Sequence, residues 1–284
     1  MQRDLPPLLE SSIPGSWDPA IYDNFKNERR QPFCDLLSLL HPCPGARVID
    51  LGCGNGELTL ELHNYLKAAE TVGIDQSSEM LGPTKQLGFA GLHFVHQTIE
   101  SVLSGWSGNK NALPETSGKF DVIFSNAALQ WLANHREIFR AIASGLVPEG
   151  QLCIQVPASY DHPSHSAVDD IMYEEPFATY FQDSTVVPAR VDWVLAPEEY
   201  SQILFDEGFS KFHVRLQVYG HQLGSTRDLT NWMEGSLLSP FRAIFPPDIF
   251  TQFLHRYTQR VLEIEGDHSP YFFAFKRILI WGVK

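Results

Sequence analysis

The clearest chemical pattern in the sequence is an acidic residue followed by three glycines at alternate positions: Asp50, Gly52, Gly54 and Gly56. The pattern begins inside an apolar run, residues 48–51, with the composition of a buried parallel strand. Glycines at this spacing permit backbone conformations with positive φ and leave room for a ligand against the main chain. Residues 57–66 then place leucines at helical spacing. The pattern therefore predicts a strand, a turn that accepts a nucleoside-containing ligand, and a helix.

A second acidic residue, Asp75, ends the apolar run 71–74 and lies about 20 residues after Gly56. An acid at the end of the second strand is typical of groups that bind ribose hydroxyls. Dinucleotide-binding enzymes and methyltransferases share this arrangement. Asp50, inside the glycine motif, would repel a pyrophosphate and suits the cationic amino-acid end of S-adenosylmethionine. The sequence therefore favours a methyl donor as the cofactor.

These residues resemble the first motif of the class I S-adenosylmethionine-dependent methyltransferases. Residues 94–100 resemble the family's third strand and adenine loop, and residues 120–131 its fourth strand and following loop. A helix over 135–146 and a fifth strand over 151–156 follow in family order. The resemblance implies an α/β, Rossmann-like fold: a seven-stranded, mostly parallel sheet with an antiparallel last strand, plus helical lid insertions.

Further segments resemble the trans-aconitate methyltransferase group: residues 17–32, 155–165, 219–222 and 256–257. The likeness then spans nearly the whole chain. One position departs from the group, because Ser239 stands where those enzymes have an arginine before proline. Arg242 is the candidate replacement.

The order of these patterns predicts six segments: an N-terminal cap (1–33), the cofactor-binding half of the core (34–158), a helical lid insertion (159–195), a return to the core (196–225), a second lid insertion (226–268) and the final strand (269–284). A sixth strand over 212–219 would place Tyr219 and His221 at a strand end, where open α/β sheets bind ligands. Arg277 is expected to face solvent from the last strand.

Charge and composition limit the classes of molecule that the protein is expected to bind. The 284 residues include 21 basic and 34 acidic side chains, for a net charge of −13, which argues against a nucleic-acid substrate. No apolar stretch reaches the roughly 20 residues that span a bilayer, and no signal peptide is evident. Cys34, Cys43, Cys53 and Cys153 lack metal-binding spacing and are expected to be reduced thiols. We expect a cytoplasmic monomer or weak homodimer that binds no metal, nucleic acid or membrane.

The resemblance and the motifs together imply two sets of site residues. Cofactor binding is assigned to Tyr22, Arg29, Asp50, Gly52, Cys53, Gly54, Gly56, Asp75, Gln76, Thr98, Ile99, Asn126 and Ala127. Binding of the methyl acceptor is assigned to Trp17, Trp131, Tyr219, His221, Arg242, Arg256 and Tyr257. Arg29 is expected to pair with the methionine carboxylate, and Arg256 with the acceptor.

The expected reaction is methyl transfer to a carboxylate oxygen of a small, trans-aconitate-like polycarboxylic acid, which forms a methyl ester. A carboxylate is already ionised at neutral pH, so no dedicated catalytic residue is expected; alignment and desolvation suffice. An acceptor of this charge needs a locally basic pocket. Two alternatives remain open. One is a malonyl carrier-protein methyltransferase, and the other is a non-catalytic regulatory protein that binds S-adenosylmethionine.

Overall fold

The computed structural model describes residues 26–107, 113–181 and 193–284. These residues divide into two compact units. The sheet unit comprises 26–107, 113–161, 193–222 and 272–284, and the helical unit comprises 162–181 and 223–271. Trp17 and Tyr22 lie outside the described residues, as does the side chain of Arg29.

Seven strands form one sheet with the order β3-β2-β1-β4-β5-β7-β6. The strands are β1 Arg47–Leu51, β2 Glu70–Asp75, β3 Leu92–His96, β4 Phe120–Asn126, β5 Leu146–Pro157, β6 Lys211–Leu223 and β7 Tyr271–Val283. β1 to β5 pair in parallel, whereas β7 pairs antiparallel with β5. The predicted sheet, with an antiparallel last strand, is confirmed.

The helices connect these strands and build the second unit. In the described residues they are α1 Lys26–Leu37, α2 Glu57–Leu66, α3 Ile99–Trp106, α4 His135–Gly145, α5 Pro163–Ile171, α6 Pro197–Asp206, α7 Asp228–Glu234, α8 Phe241–Ile244 and α9 Pro247–Glu265. The predicted helices over 57–66 and 135–146 correspond to α2 and α4. None of the helices in these described ranges is long and apolar enough to cross a membrane.

Both faces of the sheet are buried, as expected for parallel strands with near-continuous apolar runs. On one face, α1 packs Phe33 edge-on against Phe124 of β4, with ring centroids 5.9 Å apart. On the other face, Phe139 and Ile142 of α4 join the core that covers Ile123. This packing holds the carboxyl ends of β1, β2 and β4 in fixed positions.

Two predictions about the last strands are wrong. β6 continues to Leu223, so Tyr219 and His221 lie inside the strand rather than at its end. β7 lies between β5 and β6, and Arg277 is 6% exposed instead of facing solvent. Strand order depends on long-range pairing, which the composition of a single strand does not reveal.

The helical unit has its own aromatic core. Phe241 stacks on Phe253 with ring centroids 4.8 Å apart, and Phe177 contacts Phe253 edge-on at 5.1 Å. Tyr257 of α9 is fully buried, and its hydroxyl donates a hydrogen bond to the Ser164 carbonyl of α5 at 3.0 Å. The residues predicted as lid insertions thus form a packed body around α5 and α9.

Candidate functional site

The glycine-rich turn after β1 has the backbone that its sequence predicts. Gly52, Gly54 and Gly56 have φ of +85°, +56° and +78°, a region that side chains with a Cβ rarely adopt. The amides of Gly52 and Cys53 both donate to the Ile74 carbonyl at 2.9 Å. The turn is therefore fixed against the end of β2.

The three glycines have different surroundings. A Cβ on Gly52 would lie 2.3 Å from the Ala128 Cβ, and one on Gly56 would lie 2.6 Å from the Phe94 ring. Among the described residues, the only group within 4 Å of a Cβ on Gly54 is the flexible end of Met80, at 3.2 Å. Gly52 and Gly56 are thus also needed for packing, and Gly54 has the most open position for a ligand.

Asp75 lies beside this turn at the end of β2. Its Oδ2 accepts a hydrogen bond from the Gly54 amide at 2.9 Å, and its Oδ1 accepts one from the Ser77 amide at 2.8 Å. Burial raises the pKa of Asp75, although the two amides and the charge of His96 oppose that shift. Each carboxylate oxygen retains a lone pair for a further donor, such as a ribose hydroxyl.

Asp50 lies inside β1, directly beneath the turn. It is 4% exposed, and its Oδ2 accepts a hydrogen bond from the Thr59 hydroxyl at 2.6 Å. Burial is the main cause that raises the pKa of Asp50 to about 7; the hydrogen bond from Thr59 opposes the shift, and the charge of Asp75 adds to it. A cation brought next to Asp50 would favour the ionised carboxylate.

The predicted adenine-side residues lie around the same edge. Thr98 caps α3 because its Oγ1 accepts a hydrogen bond from the Ser101 amide at 3.2 Å. The Ile99 side chain lies 3.9 Å from the position of a Cβ on Gly52. Gln76 is exposed, and its carbonyl is 2.8 Å from His96 Nε2. The third-strand segment thus contributes groups next to the glycine turn.

The loop after β4 supplies the other side of the site. Ala127 has a φ of +56°, and its amide donates to the Gln155 carbonyl at 3.0 Å. Gln130 Nε2 donates to the Ala127 carbonyl at 2.7 Å, which closes the turn that contains Trp131. Asn126 Oδ1 is buried without a hydrogen-bond partner in the described part of the chain. A strained loop and an unsatisfied buried acceptor are features typical of binding sites.

These residues fit the cofactor that the sequence suggests. Gly54 leaves the backbone accessible, Asp75 has free acceptor capacity, and Asp50 offers a carboxylate to an ammonium group. Among the described residues, no group of three or more His, Cys, Asp or Glu is placed to hold a metal ion. The open backbone at Gly54 and the acceptor capacity of Asp75 are the features that an adenosine ligand requires.

Two residues predicted to bind the acceptor lie in the sheet unit on β6. The Tyr219 hydroxyl donates to Asp35 Oδ2 of α1 at 2.7 Å. Burial and this hydrogen bond raise the pKa of Tyr219, so the hydroxyl stays protonated. The His221 ring lies 5.9 Å from the ring of Phe275. Asp35 could not be predicted as the partner of Tyr219 from the sequence, because α1 and β6 are far apart in the chain.

Three more residues predicted to bind the acceptor, Arg242, Arg256 and Tyr257, lie in the helical unit and have protein partners there. Arg256 makes two hydrogen bonds to Glu174, from Nε at 2.7 Å and from Nη2 at 2.8 Å, and a third to Glu263. Arg242 pairs with Glu234 and lies over the Phe250 ring at 4.7 Å. The structure thus places both arginine charges against carboxylates of the same unit.

Comparison with known proteins agrees with the fold. Residues 43–208 match the family model described as a methyltransferase domain. The chain belongs to the class I S-adenosylmethionine-dependent methyltransferases. It is 31% identical to the trans-aconitate 2-methyltransferase of Deinococcus radiodurans, over 95% of this chain and 98% of the relative. It is 32% identical to the enzyme of that name from Mycobacterium sp. (strain KMS), over 93% and 98%.

A solved structure shows the same fold at lower identity. The YcgJ protein of Bacillus subtilis superposes with a TM-score of 0.56 at 17% identity and covers 90% of this chain and 98% of its own. This similarity concerns the fold alone.

Proposed function

We propose that this protein transfers a methyl group from S-adenosylmethionine to a carboxylate oxygen of a small polycarboxylic acid, with trans-aconitate as the model acceptor. The observation that carries the proposal is the relationship to enzymes named trans-aconitate 2-methyltransferase, which covers 95% and 93% of this chain for the two relatives named above. The adenosine-binding geometry around Gly54 and Asp75 supports the choice of cofactor.

The cofactor is held by groups on the carboxyl edge of β1, β2 and β4. Asp75 binds the ribose hydroxyls, and Gln76, Thr98 and Ile99 border the adenine. Asp50, Asn126 and Ala127 face the methionine end, as do the backbone atoms of residues 52–56. Tyr22 and Arg29 complete this set in our proposal. When bound, S-adenosylmethionine supplies a methyl group on a positively charged sulfur.

The acceptor side needs no general base, because a carboxylate is already the reacting ion at neutral pH. In the reaction, a carboxylate oxygen would form a bond to the methyl carbon while the carbon–sulfur bond breaks, and the sulfur would leave with its bonding electron pair as the neutral thioether of S-adenosylhomocysteine. The esterified carboxyl group is uncharged, and the other carboxylates of the acceptor stay ionised. The protein has to align the acceptor and replace its water, and such positioning contributes about 7–11 kcal/mol. We assign this task in the sheet unit to Trp131, Tyr219 and His221, with Trp17 at the N-terminal segment.

The test uses purified protein, methyl-labelled S-adenosylmethionine, a panel of mono-, di- and tricarboxylic acids, and a malonyl carrier protein. A base-labile, volatile label in the product identifies a methyl ester. We expect trans-aconitate or a close analogue to be methylated and monocarboxylic acids to react poorly. Tight binding of S-adenosylmethionine without methylation of any acid would favour the regulatory alternative, and methylation restricted to a malonyl carrier protein would favour the other.

A further inference from the structure

A polar row lies on the face of the sheet that α1 covers. The inner residues of this face are apolar: Phe124 of β4, Cys153 of β5 and Leu279 of β7 belong to one buried cluster. Two positions further toward the carboxyl ends of β4 and β5, the same face carries Asn126 and Gln155, which pair in register. Gln155 is also paired with Leu279, and Arg277 follows on that face opposite Pro157. Asn126 and Gln155 are therefore direct neighbours, and Arg277 lies diagonally from Gln155 on the same face, two residues from Leu279 toward the end of β5. These three residues are the polar row.

Gln155 is the most unusual member of this row. It is 1% exposed, and its Nε2 has no hydrogen-bond partner among the described residues. Gln151, on the same strand and face, is satisfied: its Oε1 accepts from the His41 amide at 2.8 Å and from Trp281 Nε1, and its Nε2 donates to the His41 carbonyl. A buried donor without an acceptor destabilises the folded state, so this Nε2 calls for a partner from outside the chain, such as a ligand.

Arg277 brings positive charge to the same place. Its guanidinium carbon lies 4.0 Å from the centre of the Phe275 ring. The charge of Arg277 also acts on Tyr219: together with Arg215 it lowers the pKa of that tyrosine, against the larger effect of burial. A buried guanidinium is poorly screened by water and attracts an anion more strongly than an exposed one. In a protein of net charge −13, such a local charge is what an anionic acceptor requires.

The polar row lies next to the proposed cofactor residues along the order of strands in the sheet. The cofactor groups lie at the ends of β2, β1 and β4, and the next strands in the sheet are β5 and β7. The hydrogen bond from the Ala127 amide to the Gln155 carbonyl joins the two regions directly. Because β7 runs antiparallel to β5, its first half, with Arg277, lies at the edge where β5 ends.

We propose that Gln155 and Arg277 bind one carboxylate of the methyl acceptor, Gln155 by donating a hydrogen bond from Nε2 and Arg277 by its positive charge. This inference rests on the proposed function, and it identifies the part of the sheet unit that recognises a polycarboxylate. The carboxylate bound there is one that is not methylated, because methylation of a carboxylate held by Arg277 would remove the charge that binds it.

The experiment compares Gln155→Met with Gln151→Met, a matched change on the same strand and face. For Gln155→Met we expect the acceptor KM to rise at least tenfold, with kcat nearly unchanged and an unchanged affinity for S-adenosylmethionine. We also expect a Tm equal to or above that of the wild type, since an unsatisfied buried donor is removed. Gln151→Met should lower the Tm and leave the acceptor KM unchanged. Arg277→Met should raise the KM as Gln155→Met does.

The outcomes separate this inference from the proposed function. If the wild type forms a methyl ester but Gln155→Met has a wild-type KM, or loses as much Tm as Gln151→Met, Gln155 is structural and the inference fails alone. If the wild type forms no ester with any polycarboxylate, the proposed function fails, and the inference fails with it. If the KM is raised in both Gln155→Met and Arg277→Met, and Gln155→Met keeps the wild-type Tm, the result supports the inference and the proposed function together.

Discussion

Asp75 Oδ2 accepts a hydrogen bond from the Gly54 amide at 2.9 Å, which joins the end of β2 to the middle of the glycine turn. The acid that is proposed to bind the ribose therefore also holds the turn that faces it. Loss of the Asp75 side chain therefore removes both the proposed ribose ligand and a hydrogen bond that holds the glycine turn. A suitable control removes a similar hydrogen bond from a backbone amide to an Asp side chain elsewhere. Asp121 offers one, because its Oδ2 accepts from the Arg47 amide at 2.8 Å at the opposite edge of the sheet.

We expect Asp75→Ala to weaken binding of S-adenosylmethionine by about 2–3 kcal/mol, the scale of hydrogen bonds to a charged group. Asp121→Ala should lower the Tm but leave this affinity unchanged, since it lies at the amino-terminal edge of β4. Isothermal titration calorimetry measures both variants. An unchanged affinity in Asp75→Ala would remove Asp75 from the cofactor site.

Gly52 and Gly45 have similar backbone φ angles but differ in the space around an added Cβ, so a comparison of the two separates backbone strain from steric conflict. Their φ values are +85° and +81°. A Cβ on Gly45 would have nothing within 4 Å in the part of the chain that the structure describes, whereas one on Gly52 would meet Ala128. We expect Gly45→Ala to cost about 1–2 kcal/mol of unfolding free energy from its backbone conformation. Gly52→Ala should cost roughly 1–3 kcal/mol more because of the added steric conflict, and urea unfolding measures the difference. Equal costs would show that Ala128 moves aside freely.

The sequence predicted the parallel core well because that core depends on local patterns. The apolar runs, the glycine turn and Asp75 each carry their signal within about 30 residues of chain, and the structure places them as expected. Cofactor residues on this edge could therefore be proposed from the sequence.

The acceptor side could not be predicted in the same way, because it depends on contacts between distant segments. Arg256 has its partner Glu174 on another segment of the helical unit, and Tyr219 has its partner Asp35 on α1. The burial of Arg277 follows from the insertion of β7 between β5 and β6. Gln155 stands out only when its neighbours are known, since its type and spacing resemble those of Gln151.

The raised pKa of Asp50 predicts how stability depends on pH. In the folded protein the pKa is about 7, above the ordinary value of 3.8, so the folded state binds the proton more tightly than the unfolded state. The contribution of Asp50 to the free energy of unfolding is fully present below about pH 4, and it is lost as the pH rises toward 7. The Asp50→Asn variant does not lose stability in this way, because asparagine does not titrate. Its side-chain oxygen can still accept the hydrogen bond from Thr59.

We therefore expect the difference in unfolding free energy, Asp50→Asn minus wild type, to increase between pH 5 and pH 8, with a slope of at most about 1.4 kcal/mol per pH unit. Urea unfolding at several pH values, without cofactor, measures it. A difference that does not change with pH would mean that Asp50 titrates normally.

The last prediction concerns Arg256, which the sequence assigned to the acceptor. In the structure its guanidinium makes two hydrogen bonds to Glu174, and an acceptor carboxylate would have to displace them. We expect Arg256→Ala and Glu174→Ala each to lower the unfolding free energy by up to about 1 kcal/mol, the scale of partly exposed ion pairs. The double variant should lose less than the sum, because both changes remove one interaction. The acceptor KM should change by less than about twofold in all three variants. A different result, in which Arg256→Ala raises the KM about tenfold while Glu174→Ala lowers it, would show that Arg256 exchanges Glu174 for the acceptor.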